Sequence, residues 1–183
     1  EPFFSSIFTL SSHHPYLVPA RYNILIPQNE EPQLRSIRYT DIALKHFFDE
    51  AKKQQWYNNT LFVIVADHTA KIIDEDYNNP VGTYRIPIAF YYPGSDTLKG
   101  RRKDIAQQTD IMPSVLQFSG IDDSFLSYGS SVFSNIRNPF SISYLNGIYY
   151  YFKNGFLLSF DGDESVGLYD YRNDSTLNLN ILN

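Results

Sequence analysis

The stretch LFVIVADHTA, Leu61–Ala70, decides the fold, because an apolar run is followed at once by an acid and an imidazole. The run shows no polar alternation, which is typical of a strand covered on both faces, as in a parallel sheet between helices. Ligand sites in open α/β sheets lie beyond the carboxyl ends of the strands. We therefore expect Asp67 and His68 to lie at a sheet edge where a ligand binds.

The chain on either side of this stretch indicates an α/β fold with a parallel-type sheet flanked by helices. Apolar residues spaced by three and four predict a helix over residues 34–55. A further strand is predicted over residues 85–94 and a short helix over 107–120. Residues 2–12, PFFSSIFTLSS, are aromatic and β-branched, and we expect them to form a buried first strand.

The last third of the chain has a different pattern. Aromatic-rich segments are separated by three dipeptides that favour tight turns with positive φ: Asn146-Gly147, Asn154-Gly155 and Asp161-Gly162. These turns predict a small antiparallel meander packed on the α/β part. We therefore expect residues 1–125 to belong to an α/β catalytic domain and residues 126–183 to be a β extension of the same domain.

The composition excludes several functions. The formal net charge of −5 does not suit nucleic acid, whose phosphates require a basic surface. The chain contains no cysteine, so it has no disulfide, thiolate metal site or cysteine nucleophile. No apolar run approaches the roughly 20 residues that span a bilayer. A membrane is therefore expected as a partner only through a segment absent from this sequence.

Two pairs of side chains at predicted strand ends could form a metal site. His13 and His14 follow the first strand, as Asp67 and His68 follow the central one. If these strands run parallel, both pairs face one edge of the sheet. A carboxylate with neutral imidazoles suits Zn²⁺ or Mn²⁺, whereas sites made only of oxygen suit Ca²⁺ and Mg²⁺. Two ligands are too few for a tight site, so others must come from elsewhere.

Plainer interpretations compete with this one. An Asp-His pair after a strand is often a turn residue beside a half-exposed imidazole, and His13-His14 before proline is often an ordinary loop. Arg85, just before a predicted strand, could hold an anion or serve as a salt-bridge partner. The aromatic run Tyr149–Phe152 offers another class of function, a non-enzymatic module that binds carbohydrate or a partner, although alternation places half of these rings in a core.

Several segments, in this order, resemble the alkaline phosphatase/sulfatase superfamily and most closely its lipoteichoic acid synthase-like branch, the membrane phosphoglycerol transferases. The block that ends in Asp67-His68 is the most specific, and GLYDYRND near the end resembles the sulfatase ending. The four segments that carry the likeness are PFFSSIFTLSSHHPY (2–16), SIRYTDIALKHFFDEAKKQQWYNNTLFVIVADHT (36–69), YRIPIAFYYPG (84–94) and QQTDIMPSVLQFSGI (107–121).

The resemblance implies roles for individual residues. Asp67 and His68 match ligands of a divalent metal, with Mn²⁺ or Zn²⁺ favoured and Mg²⁺ or Ca²⁺ as alternatives. His13 matches a histidine that contacts the phosphate or sulfate group and takes part in catalysis, with His14 as a neighbour in substrate binding. Arg85 stands in the His-Arg position of the family and would bind the substrate anion.

Two departures from the family pattern accompany these matches. Tyr84 replaces the histidine before Arg85, and Thr69 stands where many members have glycine. The resemblance implies a metal-dependent enzyme that transfers or cleaves anionic esters, such as a phospholipid headgroup or a sulfated glycan.

The family carries its nucleophile and an early acidic ligand before the first strand of this chain. We therefore expect the chain to be the C-terminal portion of a catalytic domain, inactive without the N-terminal remainder of that domain. The resemblance also places the parent protein in the cell membrane, with its catalytic domain outside the cytoplasm.

Overall fold

The structure, a computed structural model, describes residues 1–70, 72 and 74–182. These residues form two units, Glu1–Thr60 and Leu61–Asn183. The predicted boundary near residue 125 stays a prediction.

The first unit is built on helix α1, Pro32–Ala51, which confirms the helix predicted from the apolar spacing. Proline suits its first position because the N–H that proline lacks would have no partner there. Ser36 is fully buried, and its hydroxyl donates to the carbonyl of Gln33 over 2.7 Å. In the part of the chain that the structure describes, no helix is both long enough and apolar enough to cross a bilayer.

The predicted first strand is not formed. Residues 2–12 contain no strand, and Phe4 and Phe8 are 88% and 71% exposed. Aromatic and β-branched side chains suit a pleated surface, but a strand also needs a neighbouring main chain with which to form hydrogen bonds. No described residue supplies the segment with such a ladder, so its composition alone does not make it a strand.

The second unit begins with a two-stranded sheet of β1, Phe62–Val65, and β2, Ile88–Tyr91. Both strands confirm the sequence prediction, but they run antiparallel, with Phe62 opposite Tyr91. Ile64 and Val65 are exposed, so β1 is not covered on both faces. A continuous apolar run indicates a strand without fixing the direction of its neighbour, and no parallel pair occurs among the described residues.

Two shorter helices belong to the second unit. Helix α2, Pro80–Thr83, lies between β1 and β2, and the Asn79 side chain accepts a hydrogen bond from the Gly82 N–H. Helix α3, Ile111–Phe118, follows a 3₁₀ turn at Gln108–Asp110 and confirms the second predicted helix. Helices and sheets together give the α/β class, while the parallel arrangement is not found.

The predicted meander is confirmed as a four-stranded antiparallel sheet in the order β3-β4-β5-β6. Its first two turns place both residues of each Asn-Gly pair at positive φ, from 51° to 87°, as tight hairpins require. One face is buried through Phe152 and Leu157. The strands are β3 Phe140–Leu145, β4 Ile148–Lys153, β5 Phe156–Phe160 and β6 Ser165–Asp170.

Candidate functional site

Asp67 and His68 lie at the tip of β1, as the sequence predicted. The ladder ends where the Ala66 N–H donates to the carbonyl of Pro87, and the chain then bends at both residues. Asp67 Oδ1 accepts a hydrogen bond from the His68 N–H over 2.9 Å. Both side chains are exposed. The bend therefore presents a carboxylate and an imidazole to solvent on neighbouring residues.

The hydrogen bonds of His68 define which of its nitrogens is free. Nδ1 lies 2.5 Å from the carbonyl oxygen of Thr69, and a carbonyl can only accept, so Nδ1 carries the hydrogen. In the neutral ring Nε2 then holds a lone pair, and it lies 3.4 Å from Asp67 Oδ2. Two acceptor atoms side by side suit a shared cation, and metal-binding histidines commonly donate their other N–H to a carbonyl.

The donor set fits part of a divalent metal site. One carboxylate oxygen and one imidazole nitrogen are ligands that Mn²⁺ and Zn²⁺ accept. Within residues 1–70, 72 and 74–182, no group of three or more His, Asp or Glu side chains is gathered closely enough to hold a metal ion. Asp67 and His68 would supply only two of the ligands that such an ion requires, and the origin of the others stays a prediction.

Gln108 and Thr69, neither of them predicted as a site residue, hold this tip through hydrogen bonds. The Gln108 side-chain amide donates to the carbonyls of Ala66 and Asp67, over 3.0 and 2.8 Å. The Thr69 hydroxyl donates to the carbonyl of Thr83 over 2.7 Å. Neither contact follows from a spacing rule, because each joins segments that only the fold brings together.

Arg85 lies just after α2 with its side chain exposed. Its guanidinium carbon is 5.8 Å from the centre of the Tyr77 ring, and its N–H bonds to the carbonyl of Gly82. It forms no ion pair with any residue that the structure describes. An exposed guanidinium held over an aromatic ring keeps its donors available for an anion.

Tyr84, the neighbour of Arg85 in sequence, has a different environment. Its ring lies 6.1 Å from that of Tyr150, and its hydroxyl is buried with no hydrogen-bond partner. Burial, with a smaller contribution from Tyr150, raises the pKa of the Tyr84 hydroxyl. The residue is therefore held as a neutral phenol against the meander.

His13 and His14 lie in an exposed loop of the first unit. His13 Nδ1 is 2.8 Å from the carbonyl of His14, so Nδ1 carries the hydrogen and Nε2 is free. The Ser12 hydroxyl, 3.0 Å from that of Thr40, ties the loop to α1. Both histidines line a cavity of about 260 Å³ together with Leu10, Ser11, Pro15 and Leu17.

The candidate residues are divided between the two units. His13 and His14 belong to the first, and Asp67, His68 and Arg85 to the second. The predicted meeting of the histidine loop with the Asp67-His68 tip stays a prediction.

The sequence profile of the Sulfatase family matches residues 1–121, about two thirds of the chain and all five candidate residues. The chain belongs to the Sulfatase family. A crystal structure of a protein in the alkaline phosphatase superfamily from Vibrio parahaemolyticus matches with a TM-score of 0.78 and 27% identity, covering 94% of this chain and 43% of that one. The likeness thus extends beyond residue 121 into the meander.

Curated relatives point to one branch of the superfamily. The lipoteichoic acid synthase of Staphylococcus aureus (strain USA300) is 28% identical over 87% of this chain. The lipoteichoic acid synthase-like YvgJ of Bacillus subtilis (strain 168) is 26% identical over 84% of it. The resemblance to the lipoteichoic acid synthase-like branch is therefore confirmed. The chain spans about 29% of the length of these relatives.

Proposed function

We propose that this chain is part of a metal-dependent, extracytoplasmic enzyme that transfers or cleaves anionic ester groups. The observation that carries the proposal is the pair of acceptors at the tip of β1, Asp67 Oδ2 and His68 Nε2, 3.4 Å apart and open to solvent. Membership of the Sulfatase family supports ester chemistry. The donor set supports Mn²⁺ or Zn²⁺, with Mg²⁺ and Ca²⁺ as weaker alternatives.

Each candidate residue has a role in this proposal. Asp67 and His68 hold the divalent ion, which when bound would offset negative charge on the ester and activate a hydroxyl nucleophile. His13, with Nδ1 donating to the carbonyl of His14, presents Nε2 to the substrate and in its protonated form donates to a substrate oxygen. Arg85 offers a charged, planar donor to the same anion, and His14 lines the approach beside His13.

The relatives support a substrate class for this proposal. Two curated relatives are named as a lipoteichoic acid synthase and a lipoteichoic acid synthase-like protein, which favours transfer of a phosphoglycerol-type group from a phospholipid headgroup. Hydrolysis of a sulfate ester on a glycan is the alternative within the family. Both substrates present a tetrahedral anion to the same donors.

A further part of the proposal concerns the rest of the protein. The chain spans about 29% of the length of its relatives, and we propose that the nucleophile and the remaining metal ligands lie in the N-terminal remainder of the catalytic domain. The 183-residue chain alone is then inactive. A membrane segment outside this sequence would hold the parent protein in the cell membrane, with the catalytic domain on the extracytoplasmic side.

Calorimetric titration of the 183-residue chain with Mn²⁺ tests the metal assignment. Asp67→Asn and His68→Gln should each weaken Mn²⁺ binding at least tenfold, because the first removes the carboxylate charge and the second removes the imidazole nitrogen. His46→Gln, at an exposed position of α1, is the matched control and should bind as the unchanged chain does. Equal Mn²⁺ affinity in all four proteins would refute the assignment. Turnover of a phosphodiester by the chain alone would refute its predicted inactivity.

A non-enzymatic module is the second candidate function. Tyr144 and Tyr149 lie opposite each other on the outer face of the meander, 59% and 45% exposed, with ring centres 4.7 Å apart. Paired exposed rings can stack on sugar rings. Glycan binding that is lost in Tyr149→Ala and kept in Asp67→Ala would favour this function, whereas no glycan binding would remove it.

A further inference from the structure

We infer that Gln108 is a positioning residue for the Asp67-His68 pair, an inference that rests on the proposed function. Its side-chain amide has two N–H groups, and the amide donates to two successive carbonyls, those of Ala66 and Asp67. One side chain from a segment more than forty positions away in sequence thus holds the backbone from which the proposed ligands project.

The tip needs such a support because β1 stops before it. The last ladder hydrogen bond runs from the Ala66 N–H to the carbonyl of Pro87, at 3.4 Å. Beyond this point β2 offers no partner to the carbonyls of Ala66 and Asp67. Main-chain carbonyls need hydrogen-bond donors, from protein or from water. Gln108 supplies these contacts and so fixes the bend that places Asp67 beside His68.

Gln108 is itself held in place by a buried carboxylate. It opens the 3₁₀ turn Gln108–Asp110, in which Asp110 is almost fully buried. Asp110 Oδ2 accepts from the Gln107 N–H over 3.1 Å and from Arg137 over 2.5 Å. Its Oδ1 accepts from the Ser130 N–H over 2.8 Å. The turn that carries Gln108 is therefore anchored on two sides, which makes it a rigid base for the contact.

The arrangement reaches the proposed ligands only through the backbone. Gln108 contacts only the two main-chain carbonyls. Asp67 Oδ2 and His68 Nε2 are therefore left to bind the ion. Thr69 holds the other end of the bend through the carbonyl of Thr83. Loss of the Gln108 contact should let the two acceptor atoms drift from their 3.4 Å spacing. Loss of a contact that orients metal ligands typically weakens metal affinity about 10- to 100-fold.

The test compares Gln108→Met with Gln117→Met in the 183-residue chain. Methionine keeps the length of glutamine and removes its N–H donors. Gln117 is exposed on α3, and its side chain bonds to no described residue, so it is the matched control. Two quantities are measured: the ¹⁵N backbone order parameters of residues 66–69 without metal, and the dissociation constant for Mn²⁺. The melting temperature of each protein is recorded as well.

We expect order parameters at the tip to fall from about 0.85 to below about 0.6 in Gln108→Met. Mn²⁺ affinity should weaken about tenfold, while the melting temperature and the Gln117→Met protein stay unchanged. Unchanged order parameters, or unchanged Mn²⁺ affinity despite a looser tip, would overturn the inference. If the unmodified chain binds no Mn²⁺ and Gln108→Met still loosens the tip, the metal assignment fails and the positioning by Gln108 is supported.

Discussion

Arg137 Nη2 lies 2.5 Å from Asp110 Oδ2, and the two side chains are only 5% and 3% exposed. Arg137 also donates to Asp104 over 2.6 Å, and Asp110 receives two main-chain N–H groups. A buried charge of this kind is tolerated because its partners replace the water it has lost. The pair therefore joins the start of α3 to the segment that leads into the meander.

The first prediction follows from this burial. Asp110→Asn removes the negative charge and leaves Arg137 buried with Asp104 as its remaining anionic partner. We expect a loss of about 3 kcal/mol in the free energy of unfolding, since breaking one partner of a buried pair costs about 3–5 kcal/mol. Urea unfolding measures the loss. Asp123→Asn, at an exposed position, is the control, and an equally small effect in both variants would contradict the prediction.

The second prediction concerns acid stability. Partial burial raises the pKa of Asp104, but hydrogen bonds from Arg102 and Arg137 outweigh it, so the pKa lies below its usual value. A carboxyl whose pKa is lower in the folded state stabilises the fold above its unfolded pKa, about 3.9. That contribution is lost as the pH falls from there through the lower folded pKa.

Asp104→Asn should therefore destabilise the chain at pH 7 and flatten the fall in stability below about pH 4. Urea unfolding at a series of pH values between neutral and acid gives both quantities. Asp123→Asn again serves as the control. Parallel pH profiles for Asp104→Asn and the unchanged chain would show that Asp104 does not contribute as proposed.

Residues with strong local preferences explain which parts of the fold the sequence predicted. Asn146-Gly147 and Asn154-Gly155 define tight turns through their own backbone preferences, and the structure has both hairpins. The apolar spacing of α1 is likewise a local property. The direction of β1 relative to β2 is not a local property, because an apolar run suits a parallel or an antiparallel neighbour. The predicted parallel sheet is not confirmed, since β1 and β2 pair antiparallel.

The candidate site was predictable to a similar extent. The change from an apolar run to Asp67-His68 predicts where the strand ends, and the structure has both residues just after β1. The sequence did not indicate a role for Gln108, because that role depends on hydrogen bonds to two carbonyls that are remote in sequence. The first strand failed for the same reason: residues 2–12 have the composition of a strand, but the pairing partner of a strand is not encoded within the segment itself.

The third prediction separates two costs of adding a side chain at positive φ. Gly147 and Gly155 have φ of 87° and 85°, yet a Cβ at Gly147 meets open space, whereas one at Gly155 would lie 2.0 Å from Arg172 Nε. Gly147→Ala should cost about 1 kcal/mol, from backbone strain alone. Gly155→Ala should cost more, because Arg172 must leave its position over the Phe156 ring. Urea unfolding measures the loss in the free energy of unfolding for each variant. Equal losses in the two variants would contradict the prediction.

The fourth prediction tests whether Asp67 and His68 act on one ion. Mn²⁺ should raise the melting temperature of the chain by mass action, equivalent to about 2.7 kcal/mol at 100 times the dissociation constant, and EDTA should reverse it. Asp67→Asn and His68→Gln should each reduce the rise, and the double variant should lose little more than the stronger single one, because ligands of one ion are not independent. Strictly additive losses would show separate sites.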